Sequence, residues 1–238
     1  MVTDEAPDEA IDLADEADVR LARHLGNWLG AAPAGEEIRV VTSRFREEPG
    51  WDGVIRPFVG VTTDQGGVIS VAERLLEPTT TAVAIGGLTE LVGRLPEITG
   101  ARGAQLREGI FRYQQALLVH ESWGRWVEPT DPAVPAWLRP FNGEVLMAFD
   151  GDSYVAGVGR KRHDDFGQEL AVVTESTHRQ RGFARQLIAQ AAQRVFDEGA
   201  IATYLHRPDN LGSAKVAEAT GFFDRGWRIL SLSLPEGQ

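Results

Sequence analysis

Arg179-Gln180-Arg181-Gly182-Phe183-Ala184 joins a β-branched run, Leu170-Ala171-Val172-Val173-Thr174, to a stretch of helical period. A strand that turns into a helix in this way aims backbone N–H groups at one point. The first four donors of a helix lack intrahelical acceptors, and the dipole is positive there. Gly182 permits close backbone approach, and Ala184 adds almost no bulk. Arg179, Arg181 and Arg185 add fixed positive charge with a geometry suited to phosphate. The chemistry that fits these residues at this spacing is the cradling of a pyrophosphate. Taken alone, six residues are equally consistent with an ordinary turn carrying solvated arginines.

A second motif narrows the reading. It runs Asn210-Leu211-Gly212-Ser213-Ala214-Lys215-Val216-Ala217-Glu218-Ala219-Thr220-Gly221-Phe222. In this order, with a helix and a strand between them, the two motifs resemble the cofactor-binding core of the GNAT superfamily of acyl-CoA-dependent N-acetyltransferases. That family carries an Arg/Gln-x-x-Gly-x-Gly/Ala loop after its fourth strand, then an Asn followed by a short helix that ends in Gly-Phe. Arg179, Gly182 and Ala184 fill the three loop positions. The resemblance covers about residues 140–233, less than half the chain.

The resemblance implies a fold, a donor and a set of contacts. The fold is α+β, a mixed central sheet flanked by helices and splayed where acyl-CoA enters. The donor is acetyl-CoA, with no metal. The backbone of Val172, Val173 and Thr174 would pair with the amide-rich pantetheine arm, as an added strand pairs with a sheet edge. The loop from Arg179 through Gln180, Arg181, Gly182, Phe183 and Ala184 to Arg185 would hold the phosphates. Asn210 has two roles open to it, helix N-cap and contact with the cofactor arm.

The implied reaction moves an acetyl group from the thioester to a primary amine by direct attack. The amine must be neutral to attack, so a general base or a water chain is useful, and the departing thiolate benefits from a proton donor. For the base, Glu169 at the start of the cofactor strand is the first choice, although the ungapped family match falls on Gln168; Glu175, His163 and His206 are rivals. The family's usual acid is a Tyr on the helix after the Asn, and Ala217 stands there instead. Water or Tyr204 is left to substitute. Asp164 and Asp165 could offer negative charge to a cationic amine or form only a solvated loop. The acceptor is read as a small-molecule or peptide amine, and a homodimer is left open. A non-catalytic acyl-CoA-binding regulatory module is the alternative, which the missing Tyr permits. Nucleotide binding without preference for CoA is a third class.

Composition bounds these readings. The chain has 238 residues, a formal net charge of −11 and no cysteine. Disulfides, thiolate catalysis and Cys-ligated zinc are therefore excluded, and a cytoplasmic setting is the simplest reading. Eight acids and no Lys or Arg in residues 1–18 leave a charge of about −3 on the rest. The body is only mildly acidic, which disfavours nucleic acid as a partner. No apolar run is long enough for a membrane span, and the acidic start predicts no secretory signal. His24 and His120 are isolated, so no metal site is expected.

Three domains are expected: an acidic, disordered tail over 1–18, a smaller α/β domain over 19–130, and the GNAT-like domain over 131–238. The boundary rests on Pro129, Pro132, Pro135 and Pro140, a stiff connector that also carries Trp137, Leu138 and Phe141. Periodicity predicts a helix over 9–30, strands over 36–45, 53–63 and 68–74, a helix within 78–95 and a strand over 112–119. It continues with strands over 144–150, 154–160 and 168–174, a helix over 183–198, a strand over 201–206, a helix from Asn210 to Gly221 and a last strand over 227–234. For residues 35–127 two readings stand. One is a degenerate GNAT-like domain without a cofactor loop, which predicts a splayed sheet there. The other is an unrelated lid.

Overall fold

The protein is described from a computed structural model over residues 10–118 and 122–234. The first half contains β1 (Ala10–Asp12), α1 (Ala14–Leu29), β2 (Ile38–Thr42), β3 (Phe58–Thr62), β4 (Gly67–Val71), α2 (Glu73–Thr99) and β5 (Gln105–Tyr113). There follow β6 (Ala116–Leu118), β7 (Arg125–Val127), β8 (Val145–Asp150), β9 (Ser153–Arg162), β10 (Gly167–Thr174), α3 (Phe183–Asp197), β11 (Ile201–His206), α4 (Leu211–Glu218) and β12 (Arg228–Ser233). The architecture is α+β, with open mixed sheets flanked by helices.

Two compact units are interleaved along the chain. The first takes residues up to Leu21, Arg112–Leu205 and Asn210–Phe223; the second takes Ala22–Phe111, His206–Asp209 and the residues from Asp224 onward. In the first unit the strand order is β11-β10-β9-β8-β7, and the short β1 pairs with β6. β7 to β10 are successively antiparallel, and β10 and β11 are parallel, as a helical crossover requires. α3 lays Phe183, Leu187, Ile188, Ala191 and Val195 onto this sheet, all buried among Val155, Val158, Leu170 and Phe222. These are the residues that the 3.6-residue period selects. Leu138 and Phe141 of the proline-rich segment are buried as well.

In the second unit the order is β2-β4-β3-β12-β5. β3 and β4 form the hairpin that the Asp64-Gln65-Gly66-Gly67 turn signal predicts, with Val61 opposite Val68. β3 starts only after Pro57, which has no ladder donor to give. α2 is longer than the periodic stretch and breaks at Gly86 and Gly87, whose backbone angles are non-helical. β12 matches the last strand expected over 227–234, which was placed in the domain over 131–238. It lies instead between β3 and β5, antiparallel to both. Alternation in its sequence marks a strand but not its neighbours.

The acidic N-terminal stretch is in part structured. Residues 1–9 lie outside the described residues, but from Ala10 the chain enters β1 and then α1. The acids there have partners: Asp12 caps the Ala14 N–H at 2.9 Å, Glu16 pairs with Arg20 at 2.6 Å, and Asp18 accepts from the Tyr113 hydroxyl at 2.7 Å. Val119 and His120 also lie outside the described residues.

Candidate functional site

The site is built on β10. Its flank toward β9 is paired from Gln168–Arg162 through Thr174–Ala156. Its flank toward β11 is paired only from Gly167–Ile201 to Leu170–Tyr204. From Ala171 to Thr174 the strand therefore has no β11 partner on that side. Val172, Val173 and Thr174 lie in this stretch, which β11 leaves unpaired. Val172 packs on the core with Leu170, whereas Val173, on the opposite face, is exposed. The Thr174 hydroxyl is buried without a hydrogen-bond partner among the described residues.

The turn that follows has two left-handed residues. Gln180 has φ of 62°, the one positive φ among described non-glycine residues, and Gly182 has φ of 85°. Gly182 is the N-cap of α3, and no side chain caps the helix there. The first helical bond runs from the Gln186 N–H to the Gly182 carbonyl at 3.1 Å. The N–H groups of Phe183, Ala184 and Arg185 thus have no intrahelical acceptor. A Cβ on Gly182 would meet nothing within 4 Å, so the cradle is open to solvent. Arg179, Arg181 and Arg185 are exposed around it. Arg179 Nε donates back to the Thr174 carbonyl at 3.4 Å. Arg181 lies 3.6 Å from Asp150 and over the Phe183 ring. An ion pair this long and exposed neutralises little.

Glu169 sits where β10 is still paired on both sides, on the face away from Leu170. One carboxylate oxygen pairs with Lys161 Nζ, and the other lies 3.3 Å from His163 Nε2. Burial would raise its pKa, but Lys161 and then His163 outweigh that and hold it down to about 2. Lys161 was not singled out in the sequence. The signal was there, because a short turn over 163–167 fixes the hairpin register that places Lys161 opposite Glu169. Asp150 was also missed; only the folded hairpin brings it to Arg181.

α4 is held as its motif suggests. The Asn210 side chain accepts from the Ser213 N–H at 3.1 Å, the N-cap role. Gly221 has φ of 83°, and a Cβ there would lie 2.4 Å from the Ala116 carbonyl oxygen, so the glycine is sterically required. Phe222 is buried against the Tyr204 ring. Ala217 is fully buried and offers no proton. The Tyr204 hydroxyl lies 2.9 Å from the Ser213 hydroxyl, at the register position where the β10–β11 ladder ends.

The other candidates are scattered. Glu175 is exposed at the end of β10. His206 lies in the second unit, with Nδ1 on the Arg207 carbonyl. Asp164 and Asp165 line a cavity of about 340 Å³ with Asn142, Arg162, Gln168 and Glu198. There Asp164 caps the Phe166 and Gly167 N–H groups, as a turn residue does. Among the described residues no His, Cys, Asp and Glu cluster could hold a metal, and no helix is long and apolar enough to cross a membrane.

The family model described as acetyltransferase (GNAT) family matches residues 111–222. Among solved structures, a GCN5-related N-acetyltransferase from Kribbella flavida is 16% identical, with a TM-score of 0.49, over 95% of this chain and 97% of its own. A GNAT-family protein of Novosphingobium aromaticivorans is 17% identical, with a TM-score of 0.45, over 55% of this chain and 66% of its own. The protein yncA from Salmonella typhimurium, solved with its cofactor acetyl-CoA, is 15% identical, with a TM-score of 0.32, over 40% of this chain and 66% of its own. The chain thus spans just under two thirds of the length of the last two. No curated protein sequence matches it.

Proposed function

We propose that the protein transfers an acetyl group from acetyl-CoA to a primary amine of a small molecule or peptide, a reading supported by the match of residues 111–222 to the acetyltransferase (GNAT) family model. One observation carries this reading. A strand that loses its parallel partner after Leu170 leads into an uncapped helix start ringed by three arginines. The unpaired backbone of Val172 to Thr174 suits the amide groups of a pantetheine arm. The N–H groups from Arg181 to Arg185, with Arg179 and the left-handed Gln180 and Gly182, suit a diphosphate. Acetyl-CoA, when bound, supplies the acetyl group as an activated thioester.

The chain's own residues then orient the amine and move protons. Glu169 is the proposed base, exercised through His163. A carboxylate held at about 2 is too weak a base to take the proton from an amine directly. It can hold the imidazole in place and stabilise it when charged. The proposed donor to the leaving sulfur is the Tyr204–Ser213 hydroxyl pair or water, since Ala217 has no proton to give.

Calorimetry with acetyl-CoA tests the site, comparing wild type with Gly182→Trp. Binding that disappears in a folded variant supports the reading, and no binding by folded wild type removes it. Release of free CoA thiol upon addition of an amine then tests turnover. The buried Ala217 favours a second reading, a regulatory module that binds acyl-CoA without turnover. It predicts tight binding and no thiol release across an amine panel.

A further inference from the structure

The second unit contains a buried cation that has no anion among the described residues. Arg46, in the short 3₁₀ turn after β2, is 2% exposed. Its Nε and Nη1 are buried and have no hydrogen-bond partner. What it does touch is the Trp28 ring, 5.3 Å from the guanidinium carbon, and Trp28 is itself stacked on His24 at 5.4 Å. Of the acids of the adjoining loop, Glu48 is exposed and the other two are engaged elsewhere. Asp52 is held by both terminal nitrogens of Arg56, at 2.8 and 2.6 Å, and Glu47 accepts from the Glu73 N–H at 3.1 Å. Burial, and after it repulsion from Arg56, lower the Arg46 pKa to about 10. At neutral pH the group therefore stays charged.

A charge taken out of water without a partner is among the most costly arrangements in a protein, and a ring face offsets only part of that cost. A guanidinium presents a fork of N–H donors that matches an oxyanion. We propose that Arg46 anchors an oxyanion-binding site in the second unit, taking the phosphate or carboxylate group of a small molecule beside the Trp28 ring. Arg56 lies near it, with its own charge paired to Asp52. Every residue of this site lies within Ala22–Phe111. The proposal is thus independent of the acetyl-CoA reading.

The test is a titration with inorganic phosphate, and separately with succinate, at constant ionic strength set with chloride. It is run in the Gly182→Trp background, so that the loop over 179–185 does not contribute. Calorimetry should give a saturable isotherm for phosphate or succinate, at least tenfold weaker in Arg46→Lys and absent in Arg46→Met. Whichever anion gives the tighter isotherm identifies the ligand group. An isotherm unchanged in Arg46→Met, or none in the folded Gly182→Trp parent, overturns the proposal. If Arg46→Met does not fold, the Arg46 Nε–H resonance of the parent, assigned with Arg46→Lys, decides. A shift that saturates with anion supports the site, and an unmoved resonance refutes it.

Discussion

β4 with α2 and β10 with α3 are the same construction made twice, one in each unit. Each strand has an antiparallel partner on one side and a parallel partner on the other, and each runs into a helix. β4 is paired on both flanks through all five residues, is wholly buried, and passes into α2 through a single residue, Ala72. The first N–H of α2 is taken by the Glu47 carboxylate. β10 is longer, loses its parallel partner after Leu170, and reaches α3 through an eight-residue turn that leaves the helix uncapped. The difference is one of satisfaction. Where the strand is paired on both flanks and the first helical N–H has an acceptor, the turn is only a turn. Where strand and helix end keep unpaired groups under positive charge, the same construction can bind an extended, anionic molecule.

The sharpest way to break this contrast is Gly182→Trp. The left-handed φ of 85° penalises any side chain there, and an indole fills the open cradle. Acetyl-CoA affinity should fall by about 100-fold or more, a loss of ~3 kcal/mol, by calorimetry. Ala72→Ser, at the corresponding turn of the second unit, should leave affinity unchanged.

Next comes the paired end of β10. Glu198 accepts from Arg160 at 2.8 Å and from Gln168 at 2.7 Å, and Arg160 is buried. Glu198→Ala strands that guanidinium and should cost about 2–3 kcal/mol in denaturant unfolding. The pH dependence sharpens it. For both Glu198 and Glu169, burial pushes the pKa up but hydrogen bonds and cationic neighbours win, bringing the folded value from 4.5 to about 2. A lowered folded pKa means stabilisation present above about 4.5 and lost as pH falls toward 2. Acid-unfolding curves of wild type should drop through that window, and Glu198→Gln should flatten the drop.

The smaller effects compare the caps. Asn210→Ala removes the acceptor for the Ser213 N–H and should cost about 1 kcal/mol. Glu47→Ala removes the exposed cap of α2 and should cost about 0.5 kcal/mol, with no change in acetyl-CoA affinity. Thermal unfolding of the two variants reads both. An Asn210→Ala variant of unchanged stability would mean that the side chain is held for the cofactor arm and not for the helix.

Local signals read well where the physics is local. The apolar face of α3, the Asn210 cap, the Gly221 close approach and the turn between β3 and β4 each depend on residues a few positions apart. The glycine pair of α2 broke a helix that hydrophobic spacing alone drew as continuous. The partners of Glu169 were readable in principle, since the hairpin register fixes them. The partners of β12 were not, because strands pair through backbone groups that every residue carries alike.

By itself the sequence determined the type and order of the elements around β10 and the glycine-containing turn over 179–185, because periodicity, capping and turn chemistry act over short spans. Tertiary structure alone decided which strands meet, that β10 loses β11 at Leu170, and that Arg46 is buried with no anion among the described residues. Those are outcomes of long-range pairing and desolvation, which depend on what surrounds a residue and not on what precedes it in the chain.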